Sequence, residues 1–168
     1  MFDLTPVLDQ LSVPGNFDIA VPEYFNFGVD VIDARAAEGD KTAYIWVDRS
    51  GSVVEHHSFS DLSQASTRFA NVLHQIGARK GDCAVVIMPR VPAWYEVVIG
   101  CIKAGVVAMP GTNLLTAKDI EYRINKSNAT VAVVSMEHVS KIETIKDRCP
   151  TLVHLILIGG EQDRWISY

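Results

Sequence analysis

Cysteine is scarce in this 168-residue sequence: Cys83, Cys101 and Cys149 lie far apart and form no C-x-x-C pair. That spacing fits neither a zinc ribbon nor a dithiol redox motif, and it reads as buried, reduced thiols. Concentrated basic charge is missing too, since 15 Lys and Arg against 20 Asp and Glu leave a net charge of −5. A nucleic-acid platform needs clustered cations to meet the phosphate backbone, so no nucleic-acid partner is expected. No apolar run approaches the ~18 residues that cross a bilayer, so no membrane span is expected. The opening MFDLTPVLDQLSVPGNFD has no basic start and no apolar stretch before Asp3, which argues against a signal peptide and for a cytoplasmic protein.

Familiar catalytic signatures are absent as well. No G-x-S-x-G occurs, and Gly159-Gly160 lacks the third glycine of a G-x-G-x-x-G and is followed by Glu161 and Asp163. Those acids would repel phosphate, which counts against a free-standing Rossmann-type nucleotide domain. The segment Pro89-Arg90-Val91-Pro92 has no glycine to let a phosphate approach the backbone. His56 and His57 are neighbours on a predicted strand and point to opposite faces, while His74, His138 and His154 have no partner at metal-ligand spacing. No metal site is expected. Asn125-Lys126-Ser127 and Asn128-Ala129-Thr130 are glycosylation-like triplets that read as ordinary surface sequence.

What is present is a regular alternation of elements. Residues 1–22, with Pro6, Pro14, Gly15 and Pro22, read as an irregular arm. Phe27, Val31 and Ala34 predict a helix from about Tyr24 to Glu38. Thr42–Val47 and Val53–Phe59 predict a β-hairpin turning at Asp48-Arg49-Ser50-Gly51. Ser60 is the expected cap of a helix whose stripe is Leu62, Ala65, Phe69, Val72, Leu73 and Ile76, ending at Gly77. Cys83–Met88 reads as a strand buried on both faces, Pro92 opens a buried helix to Ala104, and Val106–Met109 follows as a strand. Thr116-Ala117-Lys118-Asp119 resembles a capping box for a helix to Ser127. Thr130–Ser135, a helix marked by Val139, Ile142 and Ile145, and Leu152–Ile158 complete the series.

The fold class expected is α/β: a parallel sheet of βαβ units with helices on both faces, plus an N-terminal β-hairpin. The expected division is an arm over residues 1–22 and an α/β domain over residues 23–168. Within it, Trp94 and Tyr95 read as packing residues and not as a ligand platform. Arg123 has two readings: an ion pair with Asp119 one turn earlier, or a contact to an anion or to a further part of the protein.

Several blocks together resemble the N-terminal region of the adenylate-forming acyl-CoA synthetases. They are Phe59-Ser60-x-Leu62, the turn Lys80-Gly81-Asp82 and the helix end Ile102-Lys103-Ala104-Gly105. Pro22-Glu23-Tyr24-Phe25-Asn26-Phe27, Met88-Pro89-Arg90-Val91-Pro92 and Pro110-Gly111-Thr112 are most similar to the medium-chain branch. An aryl- or acetate-type branch is the alternative within the family, and a short binding or assembly module on the same fold is the alternative outside it.

The resemblance implies a ligase that joins a carboxylic acid to coenzyme A through an acyl-adenylate, using ATP and Mg²⁺. The family's T-S-G-T-T-G-x-P-K, Y-G-x-T-E and S-G-D blocks do not occur in the sequence. The expectation is therefore a fragment with no catalytic residues of its own, no bound cofactor and no activity alone. It also implies a coenzyme A contact in the loop after Pro110-Gly111-Thr112, through a Gln where this chain has Leu114; leucine makes no such polar contact, and its alternative role is a hydrophobic loop anchor. A sheet missing its remaining elements would leave apolar surface exposed, so self-association is expected.

Overall fold

A computed structural model describes residues 22–168. The predicted arm thus lies outside the described residues but for Pro22. The first element is a helical run, π-helical over Phe27–Asp33 and α-helical over Ala34–Ala37 (α1). Asn26 starts it, its side-chain oxygen accepting from the N–H of Gly28 at 3.0 Å. The antiparallel strands Thr42–Val47 (β1) and Val54–Ser58 (β2) follow. Asp48 shapes their turn by accepting from Val53 N–H at 2.9 Å and from Ser50 Oγ at 2.6 Å, with Gly51 at φ +76°. Only glycine adopts that φ without strain.

Helix Phe59–Gln75 (α2) begins two residues earlier than Ser60 would place it. Ser58 is the cap, because the residue three positions on is Asp61, whose carboxylate accepts from the Ser58 backbone N–H at 2.9 Å while Ser58 Oγ accepts from Asp61 N–H at 3.1 Å. Ser60 has Ser63 at that offset and cannot close the box. The same device, Thr116 with Asp119, opens helix Ala117–Ser127 (α4), as the sequence predicts.

Both Asp61 and Asp119 titrate below the usual carboxylate range, first because a cap hydroxyl and then because a backbone N–H bonds the ionised form. A depressed folded pKa means that this stabilisation is complete above pH ~4 and fades as the pH falls through the lower folded value. Ser58→Ala and Thr116→Ala should each cost about 1 kcal/mol at neutral pH. The loss should shrink below pH ~3 in urea titrations.

Strand Cys83–Ile87 (β3), helix Pro92–Ala104 (α3), strand Val107–Gly111 (β4), α4, strand Val131–Ser135 (β5), helix Val139–Ile145 (α5) and strands His154–Ile158 (β6) and Ile166–Ser167 (β7) build one sheet. Its order is β4-β3-β5-β6-β7, all parallel. The chain steps from β3 outward to β4, then crosses back over β3 to β5.

Helices α2 and α3 therefore cover one face and α4 and α5 the other. Ala84 and Val86 of β3 join Phe69, Leu73, Val97 and Cys101, whereas Val85 and Ile87 join Ile120, Ile124, Ile142 and Ile145. A strand buried on both faces has no polar alternation to show, which is why β3 reads as a continuous apolar run. Cys101 is fully buried there, and burial pushes its thiol pKa up to about 12.

Differences at the strand ends have local causes. β4 starts at Val107 and not Val106 because Gly105 ends α3 in the left-handed conformation and Val106 N–H closes onto Cys101 O at 2.8 Å. β7 has two residues, too few to carry a period. It is locked by buried Trp165, whose indole N–H donates to Glu143 at 2.8 Å.

Candidate functional site

In an open parallel sheet, ligands collect beyond the carboxyl ends of the strands, where connections diverge. A cavity of about 380 Å³ lies there, lined by Met88, Pro89 and Arg90 after β3, Trp94 on α3, and Pro110, Gly111, Thr112 and Asn113 at the end of β4. Arg90 rests its guanidinium over the Trp94 ring, 5.6 Å from the centroid. Its carbonyl oxygen accepts from the indole N–H of Trp46 at 2.9 Å. Tyr95 turns the other way and stacks on Tyr44 at 4.6 Å, and Tyr44 stacks on His57 at 4.7 Å. The hairpin is thus fastened to α3 by aromatic contacts that also fix the Arg90 segment. Tyr95 and Trp94 both pack as predicted, Trp94 against the core beneath α2 and α3, and Trp94 also forms a wall of the cavity.

The loop after β4 is held from α5. Lys141 Nζ donates to Leu115 O at 2.7 Å and to Asn113 O at 3.3 Å. His138, 3% exposed, sets Nε2 at 3.4 Å from Asn113 Oδ1 and 3.3 Å from Glu137 Oε1. In the tautomer that carries its hydrogen on Nε2, His138 donates to the Asn113 oxygen; the buried Nδ1 has no hydrogen-bond partner. Burial first, and the Lys141 charge second, hold the His138 pKa below the ordinary histidine value, against the pull of Glu137.

Leu114 and Arg123 are not brought together in this cavity. Leu114 is 87% exposed, so it is no anchor; the neighbouring Leu115, 9% exposed, anchors the loop. Arg123 is exposed on α4 beside a shallow depression lined by Leu115, Lys118, Asp119 and Tyr122. The Asp119 carboxylate is engaged by Thr116, so Arg123 acts on it through space and not as a close ion pair. His56 and His57 do face opposite ways: His56 lies opposite Ile45 on the exposed side of the hairpin, and His57 stacks inward. Among the described residues no group of three His, Cys, Asp or Glu is placed to hold a metal ion. No helix among them is long and apolar enough to cross a membrane.

Sequence reasoning missed Asn113, His138 and Lys141. Their sequence separation of 25 to 28 residues hides a contact that only the crossover from β4 to β5 creates.

A parallel sheet with helices on both faces and a cavity at the carboxyl ends of its strands defines an open α/β domain. The AMP-binding enzyme model matches residues 32–166, and the chain belongs to that family. It is 35% identical over 181 residues to the acyl-coenzyme A synthetase ACSM1, mitochondrial, of Mus musculus, a match covering 99% of this chain and 31% of that protein. It is 38% identical over 157 residues to acyl-coenzyme A synthetase ACSM4, mitochondrial, of Homo sapiens, covering 88% of this chain and 27% of that protein.

Among solved structures it resembles the anthranilate CoA ligase AuaEII in complex with anthranoyl-AMP, with a TM-score of 0.75 and 25% identity, covering 88% of this chain and 27% of that one. The N-terminal domain of FACL13 from Mycobacterium tuberculosis shares the fold at a TM-score of 0.69 and 23% identity, covering 80% and 33% of the two chains. The chain spans under a third of the length of the curated relatives it matches. Those relatives are named as mitochondrial, which overturns the expectation of a cytoplasmic protein drawn from the opening residues.

Proposed function

We propose that this chain is the N-terminal part of an AMP-forming acyl-CoA synthetase, with residues 23–168 as an incomplete α/β domain. In the whole protein a carboxylic acid and Mg²⁺-ATP form an acyl-adenylate, and coenzyme A displaces AMP to give the thioester. The single observation behind this reading is the family match over residues 32–166 together with relatives named as acyl-coenzyme A synthetases.

The residues present do not fit Mg²⁺-ATP. The turn after β6 is Gly159-Gly160-Glu161-Gln162-Asp163, whose acids oppose a triphosphate, and no acidic cluster among the described residues offers a metal seat. No step of the reaction is therefore assigned to them. Their role is to build one sheet and present the loop after β4, with Leu114 exposed at the place where relatives are expected to meet coenzyme A. Arg123, exposed on α4, is proposed as an anion contact or a tie to the rest of the protein.

Acid-dependent pyrophosphate release from ATP, assayed on the 168-residue chain, should be indistinguishable from the no-enzyme blank. Robust turnover by these residues alone would overturn the reading. Ile45, Val47 and Val54 form an exposed apolar patch on the hairpin, opposite the Tyr44 side. Self-association of the isolated chain is proposed through such surface, and sedimentation equilibrium should show a concentration-dependent dimer. A strictly monomeric species at high concentration would remove that part of the proposal.

A further inference from the structure

We infer that His138 and Lys141 form a pH-sensitive latch: they position the loop after β4 while the imidazole is neutral and release it when the ring takes a proton. The inference concerns the loop itself and does not depend on the reaction proposed above.

The latch joins parts of the chain that only the crossover from β4 to β5 brings together. Lys141 of α5 ties the loop by its backbone, donating to Leu115 O at 2.7 Å and to Asn113 O at 3.3 Å. His138, at the end of the turn Met136–His138, ties it by a side chain, with Nε2 at 3.4 Å from Asn113 Oδ1. Inside the loop, Leu114 N–H donates to Thr112 Oγ1 at 3.3 Å and Leu115 N–H to Thr112 O at 3.2 Å. Leu115 is buried and Leu114 stands exposed at the tip, so the shape of the loop depends on how firmly the corner between β5 and α5 grips it.

The neutral ring suits this place and the charged ring does not. A neutral imidazole has one N–H, which Nε2 can direct at Asn113 Oδ1 while Nδ1 stays bare. An imidazolium carries a hydrogen on both nitrogens, and the buried Nδ1 has no acceptor among the described residues. A buried, charged N–H without a partner is costly, so the protonated ring gains by turning out to water. In leaving, it gives up Asn113.

Among the described residues the charged groups that face the ring are Glu137 of its own turn, with Oε1 at 3.3 Å, and Lys141 of α5; the loop contributes only the uncharged Asn113. Glu137 favours the proton, but its side chain is 58% exposed and water screens the attraction. Burial and the Lys141 charge oppose the proton, and together they hold the pKa of the latched ring below the ordinary histidine value. In the released loop the ring returns to the usual value of ~6.5. The latch is therefore at full strength above pH ~6.5 and is lost as the pH falls through the lower value of the latched ring. Between the two values the ratio of latched to released loop drops about tenfold per pH unit, because release takes up one proton.

The test is hydrogen exchange of the 168-residue chain between pH ~8 and ~5, the span in which histidine titrates, corrected for the intrinsic pH dependence of exchange. Mass spectrometry of a peptide spanning residues 112–116 reads the Leu114 and Leu115 amides. Their protection should be level above pH ~6.5 and fall below it by up to about tenfold per unit, while a peptide from β3 stays protected. His138→Gln keeps a donor for Asn113 and cannot be charged, so the fall should vanish in that variant. Lys141→Met is the second variant, should His138→Gln lower the melting temperature. It should reduce protection at neutral pH and shrink the fall, since the ring then faces no cation. The inference is overturned if the parent loop is protected alike at pH ~8 and ~5, or if either variant keeps the full pH-dependent fall of the parent.

Discussion

Asp33→Ala should destabilise the fold by about 3 kcal/mol, measured as a fall in urea midpoint at unchanged slope. Asp33 ends the π-helical run and meets Lys103 of α3, Nζ to Oδ1 at 2.5 Å, while Ser63 Oγ of α2 donates to the same oxygen at 2.6 Å. The Lys103 side chain is 6% exposed, whereas that of Asp33 is 36% exposed. The pair is thus asymmetric: its cation is dry and its anion is wet.

Removing the carboxylate strands a buried ammonium, which costs about 3–5 kcal/mol in general. The lower end applies because Ser63 O at 3.0 Å and Thr67 Oγ1 at 2.9 Å still accept from Lys103. Lys103→Met, which keeps the volume and leaves Asp33 to solvent, should cost only about 1 kcal/mol or less. Equal losses for the two variants would show that the pair acts through packing and not through charge.

The second large effect is expected where α2 and α3 touch. Phe69→Ala should cost about 3–5 kcal/mol, because Phe69 is fully buried between the helices and carries Tyr168 edge-on at 5.1 Å. Opposite it stands Gly100, where an added Cβ would lie 2.8 Å from Ser66 O and 2.9 Å from Phe69 Cβ. Gly100→Ala should therefore cost about 1–3 kcal/mol on its own, through overpacking.

In the Phe69→Ala background only the 2.9 Å approach to Phe69 Cδ1 is relieved, while those to Ser66 O and to Cβ of residue 69 remain, so the double variant should recover only part of the Gly100→Ala loss. A double-mutant cycle by thermal denaturation reads this coupling. Strict additivity would mean that the helices separate as rigid bodies instead of repacking.

Much of the fold was legible because it depends on local rules. The apolar run of β3, the Thr116 box, the stop at Gly105 and the amphipathic marks at Val139, Ile142 and Ile145 each state a local environment, and the chain obeys them. Ser60 misled because a hydroxyl alone does not define a cap; the acid three residues later does, and only Ser58 has one. Leu114 and Leu115 show the limit of pattern in a loop, where nothing in the order of two leucines says which one turns inward. The cavity was not legible. It joins segments around residues 90, 112 and 138, and the crossover that brings them together leaves no periodic trace.

β4 forms an outer border of the five-stranded sheet, and its fourth residue is Pro110, opposite Val86 of β3. Proline has no N–H, so an approaching strand would meet a gap in the row of donors midway along this border. Lengthwise zippering of copies into a continuous ribbon is interrupted at that position. Natural sheets guard open borders in this way. Open-ended growth along this backbone border is thereby disfavoured.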